Sequence, residues 1–349
     1  MSLQPYLKRI IEGHETLSRA DAAELLKTIL RGESSDLEIA ALLGSIATRG
    51  PVPNEIAGFV DTMRAAATPI PLTPAERTLL IDTCGTGADS SGTFNISTAA
   101  ALVAAAAGAS AAGAKIMVAK HGNRRVTSEC GSADVLEALG IPVALSPAEG
   151  AAALRKHRFA FFHAPTLHPA MKKVMPVRRA LGIRTIFHLV GPLSNPAGAS
   201  AQVMGVYARD FVGLAAEAMV ILNTRHAFVV HGETGDRGMD EFSISGPSHF
   251  AEVHNGIVTL GTITPEDVGL TRAPIENLQG GDAGTNAQIL RAIFSGERGP
   301  RRDIVLLNAA AVLVTAELAP DLPTGIALAA KAIDTGAVTA LVSALRMEP

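Results

Sequence analysis

Leu79-Leu80-Ile81-Asp82-Thr83-Cys84-Gly85-Thr86-Gly87-Ala88-Asp89 decides the fold. An apolar run breaks into a glycine-rich turn, and Thr93-Phe94-Asn95-Ile96-Ser97-Thr98 then opens a long alanine-rich segment. This reads as a strand, a glycine loop and the start of a buried helix. Downstream, Lys120-His121-Gly122-Asn123-Arg124-Arg125-Val126-Thr127-Ser128 forms a second loop rich in cationic and hydroxyl groups, followed by Gly131-Ser132-Ala133-Asp134-Val135-Leu136-Glu137-Ala138-Leu139-Gly140. Glycine lets backbone N–H groups approach an anion closely, and a helix N-terminus adds partial positive charge. The combination points to a phosphorylated ligand.

The common phosphate motifs do not account for it. Ala88-Asp89-Ser90 follows Gly85-Thr86-Gly87, so the third glycine of a dinucleotide fingerprint is missing. Gly87 and Gly92 have P-loop spacing, but Thr93 stands where that motif needs lysine.

Outward from this stretch, β and α segments alternate, which argues for a mostly parallel sheet with helices on its faces. Strands are expected at Leu79–Asp82, Ile116–Ala119, Phe159–Phe162, Val203–Tyr207, His226–His231 and Ile257–Leu260. Helices are expected at Ser97–Ala107, Ala133–Leu139, Pro147–His157, Phe211–Leu222, Ala287–Phe294, Ile304–Ala316 and Thr324–Ala332. Before Pro69 the pattern is wholly helical: Ser18–Asp21 and Ser35–Glu38 look like capping boxes, each followed by apolar residues at helical spacing. The expected organisation is a small helical domain over 1–70, joined by helices around 165–190, and a large α/β domain over 75–349. The helical part carries no convergent polar groups and reads as packing and subunit interface.

Composition sets bounds. With 349 residues, 48% hydrophobic, and a net charge of -3, the chain has ample core and lacks the basic excess of a general nucleic-acid surface. Cys84 and Cys130 form no C-x-x-C pair, and the N-terminus lacks a signal-peptide pattern, so a reducing cytoplasm is expected. Ser90 to Ala114 is uncharged and long enough to span a bilayer, but it is mostly Ala, Gly, Ser and Thr. A closely packed internal helix is the expected outcome, with no membrane partner.

Taken together, D-T-C-G-T-G-x-D, T-F-N-I-S-T, K-H-G-N-R and G-S-A-D-V-L-E-A-L-G resemble the anthranilate phosphoribosyltransferase family. The resemblance runs on through His168-Pro169-Ala170-Met171, Val177-Arg178-Arg179, Gly191-Pro192-Leu193-Ser194-Asn195-Pro196, Asp240-Glu241, Gly280-Gly281-Asp282-Ala283 and Leu306-Leu307-Asn308-Ala309-Ala310, nearly the whole chain in order. It implies a fold of the nucleoside phosphorylase/phosphoribosyltransferase type, a homodimer, and transfer of phosphoribosyl from phosphoribosyl pyrophosphate to the amine of anthranilate.

For the donor, the resemblance and the residue chemistry together assign Gly85, Thr86, Gly87, Ala88, Asp89, Thr93, Asn95, Ser97, Thr98, Lys120, Thr127, Ser128 and Ser132. For anthranilate they assign Gly85, Asn123 and Arg178, the last as a bidentate partner for its carboxylate. His121 and His168 are positioning groups rather than bases, since an aniline nitrogen is already a neutral nucleophile. Two magnesium ions per subunit are implied at Ser97, Asp240 and Glu241; adjacent acidic residues in a loop would otherwise read as solvated surface. Arg124, Arg179 and Arg184 read as structural. Departures from the family pattern gather near the acceptor, at His163, Thr166, Leu167 and His188, with Arg125 also unusual and Ala88 adding a methyl group against the phosphates. An intact donor site serving another aromatic amine, a pyrimidine nucleoside phosphorylase, and a nucleic-acid-binding relative without activity are the competing readings.

Overall fold

The computed structural model describes residues 2–87, 89–110, 116–125, 129–235 and 237–346. Three helices, Arg19–Leu30, Asp36–Arg49 and Pro53–Ala66, build the N-terminal part. The side chain of Ser18 accepts from the Asp21 amide, and Ser35 and Glu38 form a reciprocal capping box. Both helix starts read from the sequence are therefore present. Glu55 is fully buried and binds the Arg49 guanidinium at 2.5 Å and the Leu17 and Val52 amides at 2.9 and 3.1 Å. That many donors offsets the desolvation of a buried carboxylate. Leu25, Leu42, Ile46 and Phe59 share one core with Val177, Phe187 and Leu189 from helices Met175–Leu181 and Phe187–Leu193. The chain thus returns to its N-terminal helices about 110 residues later, as the apolar stripes there require a covering partner.

Eight strands follow: β1 Leu80–Gly85, β2 Met117–Gly122, β3 Phe159–His163, β4 Ala201–Gly205, β5 His226–Glu233, β6 Gly238–Met239, β7 Ser248–His254 and β8 Ile257–Ile263. They form one sheet in the order β3-β2-β1-β4-β5-β7-β8, with β6 paired to β5. The five strands from β3 to β5 are parallel, and β6, β7 and β8 run antiparallel. Alternate residues go to opposite faces. Ile81, Val118, Phe161, Val203 and Val230 pack under helix Ile96–Ser110. Leu80, Met117 and Ala160 face helix Pro147–His157, while Met204 and Val229 face Phe211–Ile221.

Helix Ile96–Ser110 is the uncharged stretch. Alanine is the best helix former, and its small side chain lets Pro300–Thr315, Leu322–Asp334 and Ala337–Arg346 pack closely around it. Gly325 meets Ala310 so closely that a Cβ would lie 2.8 Å from the alanine methyl. Among the described residues no single helix is long and apolar enough to cross a membrane.

The strands differ from the sequence expectation in two ways. β7 and β6 were not anticipated, because Ser248, His249, Glu252 and His254 leave β7 few apolar positions. β1 and β2 also run further, to Gly85 and Gly122. Their polar ends are paired strand because they form the floor of a crevice.

Candidate active site

β2 and β3 lie on one side of β1 and β4 on the other, so β1/β4 is where strand order reverses. In open α/β sheets ligands bind outside the carboxyl ends of the strands at such a point. Gly85 ends β1 and pairs with Gly205, which ends β4. The Thr86 amide donates to the Gly205 carbonyl at 3.1 Å, and the chain then turns through Gly87 at φ +65°. A Cβ on Gly85 would collide with the Asp240 carboxylate, and one on Gly205 with the Asp240 carbonyl oxygen. The two glycines make the slot that seats Asp240. Gly87 donates its amide hydrogen to Asp240 Oδ2 at 2.7 Å, and Thr86 Oγ1 donates to the same oxygen at 3.2 Å.

Asp89 and Glu241 complete an acidic group whose ligand atoms lie within 4.8 Å of one another and of Asp240. Burial, then the neighbouring Asp89 charge, pushes Asp240 up to about 6; burial and Asp240 push Glu241 well above the carboxylate range. Glu241 Oε2 is buried without a hydrogen-bond partner among the described residues. Crowded carboxylates with an orphaned oxygen suit a hard divalent cation, which prefers oxygen ligands. The residues therefore fit magnesium.

Lys120 lies behind this group, almost fully buried, and donates to the Thr83 carbonyl at 2.7 Å and to Ser97 Oγ at 3.3 Å. Burial lowers its pKa, opposed chiefly by the Asp82 charge. Asp82 is itself pushed up to about 6 by burial and accepts the His121 amide hydrogen at 3.1 Å. Lys120 and Asp82 thus tie β1 to β2 beneath the glycine loop.

Several expected donors are engaged internally. Asn95 donates to the Cys130 carbonyl at 3.1 Å and accepts from Asn286 at 2.9 Å. Ser132 Oγ donates to the Asn123 carbonyl at 3.2 Å. Thr93 Oγ1 pairs with Ser91 at 3.2 Å, and Thr98 is buried in the helix. Asn123 is exposed, its side-chain oxygen accepting from the Arg124 amide. Asp134 accepts from the Gly131 and Arg125 amides, both at 2.9 Å, which holds the Lys120 loop over its helix. Arg124 pairs with Asp134 and Glu137, the structural role expected of it. Ala88, Thr127 and Ser128 lie outside the described residues.

Of the residues expected around the acceptor, His121 and His168 meet edge to face, ring centroids 5.2 Å apart. Burial lowers His121 to about 3, and His168 to about 4, so both imidazoles are neutral near pH 7. His121 Nε2 is buried without a partner among the described residues. Arg178 is half-buried over the Phe187 ring, 5.2 Å from its centroid, and has no carboxylate in ion-pair reach among the described residues. Its guanidinium is available to an incoming acid. His163 Nδ1 lies 3.0 Å from Thr166 Oγ1, and Leu167 is buried. His188 meets Tyr207 edge to face, with Arg184 stacked 4.4 Å over the same ring.

Gly205 and Asn286 escaped the sequence reading. A glycine inside a strand pattern signals close backbone approach, which is Gly205's role. Nothing local marks Asn286, whose partner is 191 residues away.

The same arrangement has known relatives. A glycosyl transferase family described as an a/b domain matches residues 77–339, and its helical bundle domain matches residues 4–67. The anthranilate phosphoribosyltransferase of Solibacter usitatus is 47% identical over 99% of this chain and 98% of its own. That of Moorella thermoacetica is also 47% identical, over 98% and 97%. The crystal structure of the Thermus thermophilus enzyme superposes with a TM-score of 0.87 at 41% identity, covering 97% of this chain and 98% of that one. The Saccharomyces cerevisiae enzyme in complex with PRPP and Mg, 23% identical over 98% and 96%, shares the fold with a TM-score of 0.86.

Proposed function

The chain belongs to the anthranilate phosphoribosyltransferases within the glycosyl transferase family, and from that membership we infer its reaction. Phosphoribosyl is transferred from phosphoribosyl pyrophosphate to the amine of anthranilate, giving N-(5-phosphoribosyl)anthranilate and pyrophosphate in tryptophan biosynthesis. The observation that carries this reading is Asp240, clasped by Gly85, Thr86, Gly87 and Gly205 at the point where strand order reverses.

As the C1–pyrophosphate bond lengthens, positive charge grows on the ribose and negative charge on the leaving group. To the departing anion we assign the glycine loop with Gly85, Thr86, Gly87 and Asp89, the N-terminal turn with Thr93, Asn95, Ser97 and Thr98, and Lys120 and Ser132; the Thr86 and Gly87 amides serve it indirectly, by holding the Gly205 carbonyl and Asp240. Lys120 contributes charge from behind, and Asn95 and Ser132 act by fixing the loops. Asp240, Glu241 and Ser97 would hold two magnesium ions, with Asp89 facing the same centre; bound magnesium neutralises the leaving pyrophosphate. Arg178 pairs with the anthranilate carboxylate, Asn123 orients the acceptor, and the neutral His121–His168 pair walls its ring. No strong base is needed.

We divide the chain into a helical domain over 1–70, joined by the 165–190 helices, and an α/β domain over the rest of 75–349; the core that Leu25 and Phe59 share with Val177 and Phe187 supports this, and Met204 and Val229 carry that core on into the sheet. Exposed Leu37 and Ile11 support a homodimer through the helical part. Among the described residues Cys84 and Cys130 form no disulfide, which suits a reducing cytoplasm.

The test follows anthranilate fluorescence with phosphoribosyl pyrophosphate and magnesium. Loss of signal requiring all three components supports the reading. Magnesium-dependent donor binding without anthranilate consumption would sink the acceptor assignment and direct attention to His163, Thr166 and His188.

A further inference from the structure

We propose a second metal site, for a zinc-type divalent cation, at the end of the sheet remote from the catalytic crevice. His226 begins β5 and His254 ends β7, and the two are directly opposed in the antiparallel register. Their rings stack with centroids 4.4 Å apart. Glu317, just beyond helix Pro300–Thr315 and held at φ +59°, brings a carboxylate to the same place. One ligand atom from each of the three lies within 4.8 Å of the others. In a tetrahedral zinc site neighbouring ligand atoms stand about 3.4 Å apart, given bonds of roughly 2.1 Å. His254 and Glu317 are both exposed, so side-chain rotation can close that difference.

His226 supplies the specific evidence. Its ring is buried, and Nε2 lies 2.8 Å from the Glu252 carboxylate. A carboxylate only accepts, so Nε2 carries the proton and Nδ1 presents a lone pair. Nδ1 is buried and has no partner among the described residues. A carboxylate on one imidazole nitrogen, with the other free, is the arrangement that orients a metal-binding histidine. Two imidazoles and one carboxylate favour zinc, cobalt or nickel over magnesium or calcium. The competing contacts are Arg225, whose Nη1 pairs with Glu317 Oε1 and leaves the second carboxylate oxygen for the cation, and the Asn255 side-chain nitrogen, 3.4 Å from His254 Nε2.

This site is separate from the acidic group that follows β5. The strand between His226 and Glu233 is about 23 Å long at roughly 3.3 Å per residue. Occupancy would pin β5, β7 and the end of the Pro300–Thr315 helix together.

Chelator-stripped full-length enzyme, returned to buffer with excess magnesium to occupy oxygen-only sites, is titrated with zinc by calorimetry. One equivalent should bind. His254→Ala and Glu317→Gln, both at exposed positions, should each abolish that binding while transfer activity in zinc-free buffer stays at the wild-type level. Glu252→Gln should weaken binding by roughly 10- to 100-fold, the scale for a lost outer partner. Cobalt in place of zinc should show the visible bands of a four- or five-coordinate ion. No zinc binding by the wild type, or binding unchanged in either exposed-residue variant, overturns the proposal.

Discussion

The carbonyl oxygen of Asp240 occupies the space that a Cβ on Gly205 would need. Gly205 ends β4, opposite Gly85 on β1, so the acidic loop rests on two bare backbones. Gly205→Ala should lift Asp240 and Glu241 out of register. The half-saturating magnesium concentration is expected to rise roughly tenfold or more, since misplacement by about 1 Å can cost on the order of 10²-fold. Stability should fall by about 1–3 kcal/mol, the cost of overpacking. A magnesium titration of transfer rate with an unchanged circular dichroism spectrum checks this, and a wild-type magnesium curve would refute it.

Asp240→Asn separates stability from activity. In the wild type without magnesium, three carboxylates face one another and Asp240 is buried. The amide keeps an oxygen for the Gly87 and Thr86 donors while removing a charge. Transfer should drop by roughly 10²–10³-fold, the scale for losing one preorganised electrostatic group. The thermal midpoint in chelator at pH 8 should rise. A lower midpoint than wild type would show that the acidic group is not under electrostatic strain.

His168 sets a pH dependence with a definite sign. Burial lowers its folded pKa from 6.5 to about 4, so the unfolded chain binds the proton first. Its contribution is intact above pH 6.5 and is lost as pH falls toward 4, by about 3 kcal/mol over the window. Asp82, raised to about 6, acts oppositely, losing stability as pH rises from 4 to 6. Comparing His168→Asn with wild type cancels the Asp82 effect. Relative to wild type, the urea midpoint of the variant should shift upward on going from pH 7 to pH 5; an equal shift in both proteins would contradict the burial of a neutral ring.

Arg178→Ala should raise the KM for anthranilate by roughly 10- to 100-fold, corresponding to a charge-assisted hydrogen bond of about 1.5–3 kcal/mol. Donor affinity, measured by calorimetry with phosphoribosyl pyrophosphate and magnesium, should not change. Weakened donor binding of the same size would place Arg178 outside the acceptor pocket.

Much of this architecture is legible in the residues themselves. The apolar runs Leu80–Ile81, Met117–Ala119 and Phe159–Phe162 announce buried parallel strands, and Ser35 with Glu38 announces a helix start. β7 is not legible, because a strand of serine, histidines and glutamate has a surface-like composition and gains its place from β5 and β8. At the site, sequence supplies the donors but not their partners. Asn95, Ser132 and Lys120 look free to meet an anion, yet each spends hydrogen bonds on the fold. Gly205 matters for what crosses it, and Asp240 is 35 residues further on.

The tie from Asn95 to Asn286 bears on how the enzyme comes into being. A ribosome delivers the chain from its N-terminus, and domains generally fold as they emerge. The glycine loop and its helix are synthesised early, but their outer fastening is an amide 191 residues later. A nascent chain lacking the Asp282–Asn286 turn holds Asn95 only through the Cys130 carbonyl. Catalytic competence is therefore postponed until helix Ala283–Phe294 is made, so translation products that stop before it carry the glycine-loop motifs without a finished site.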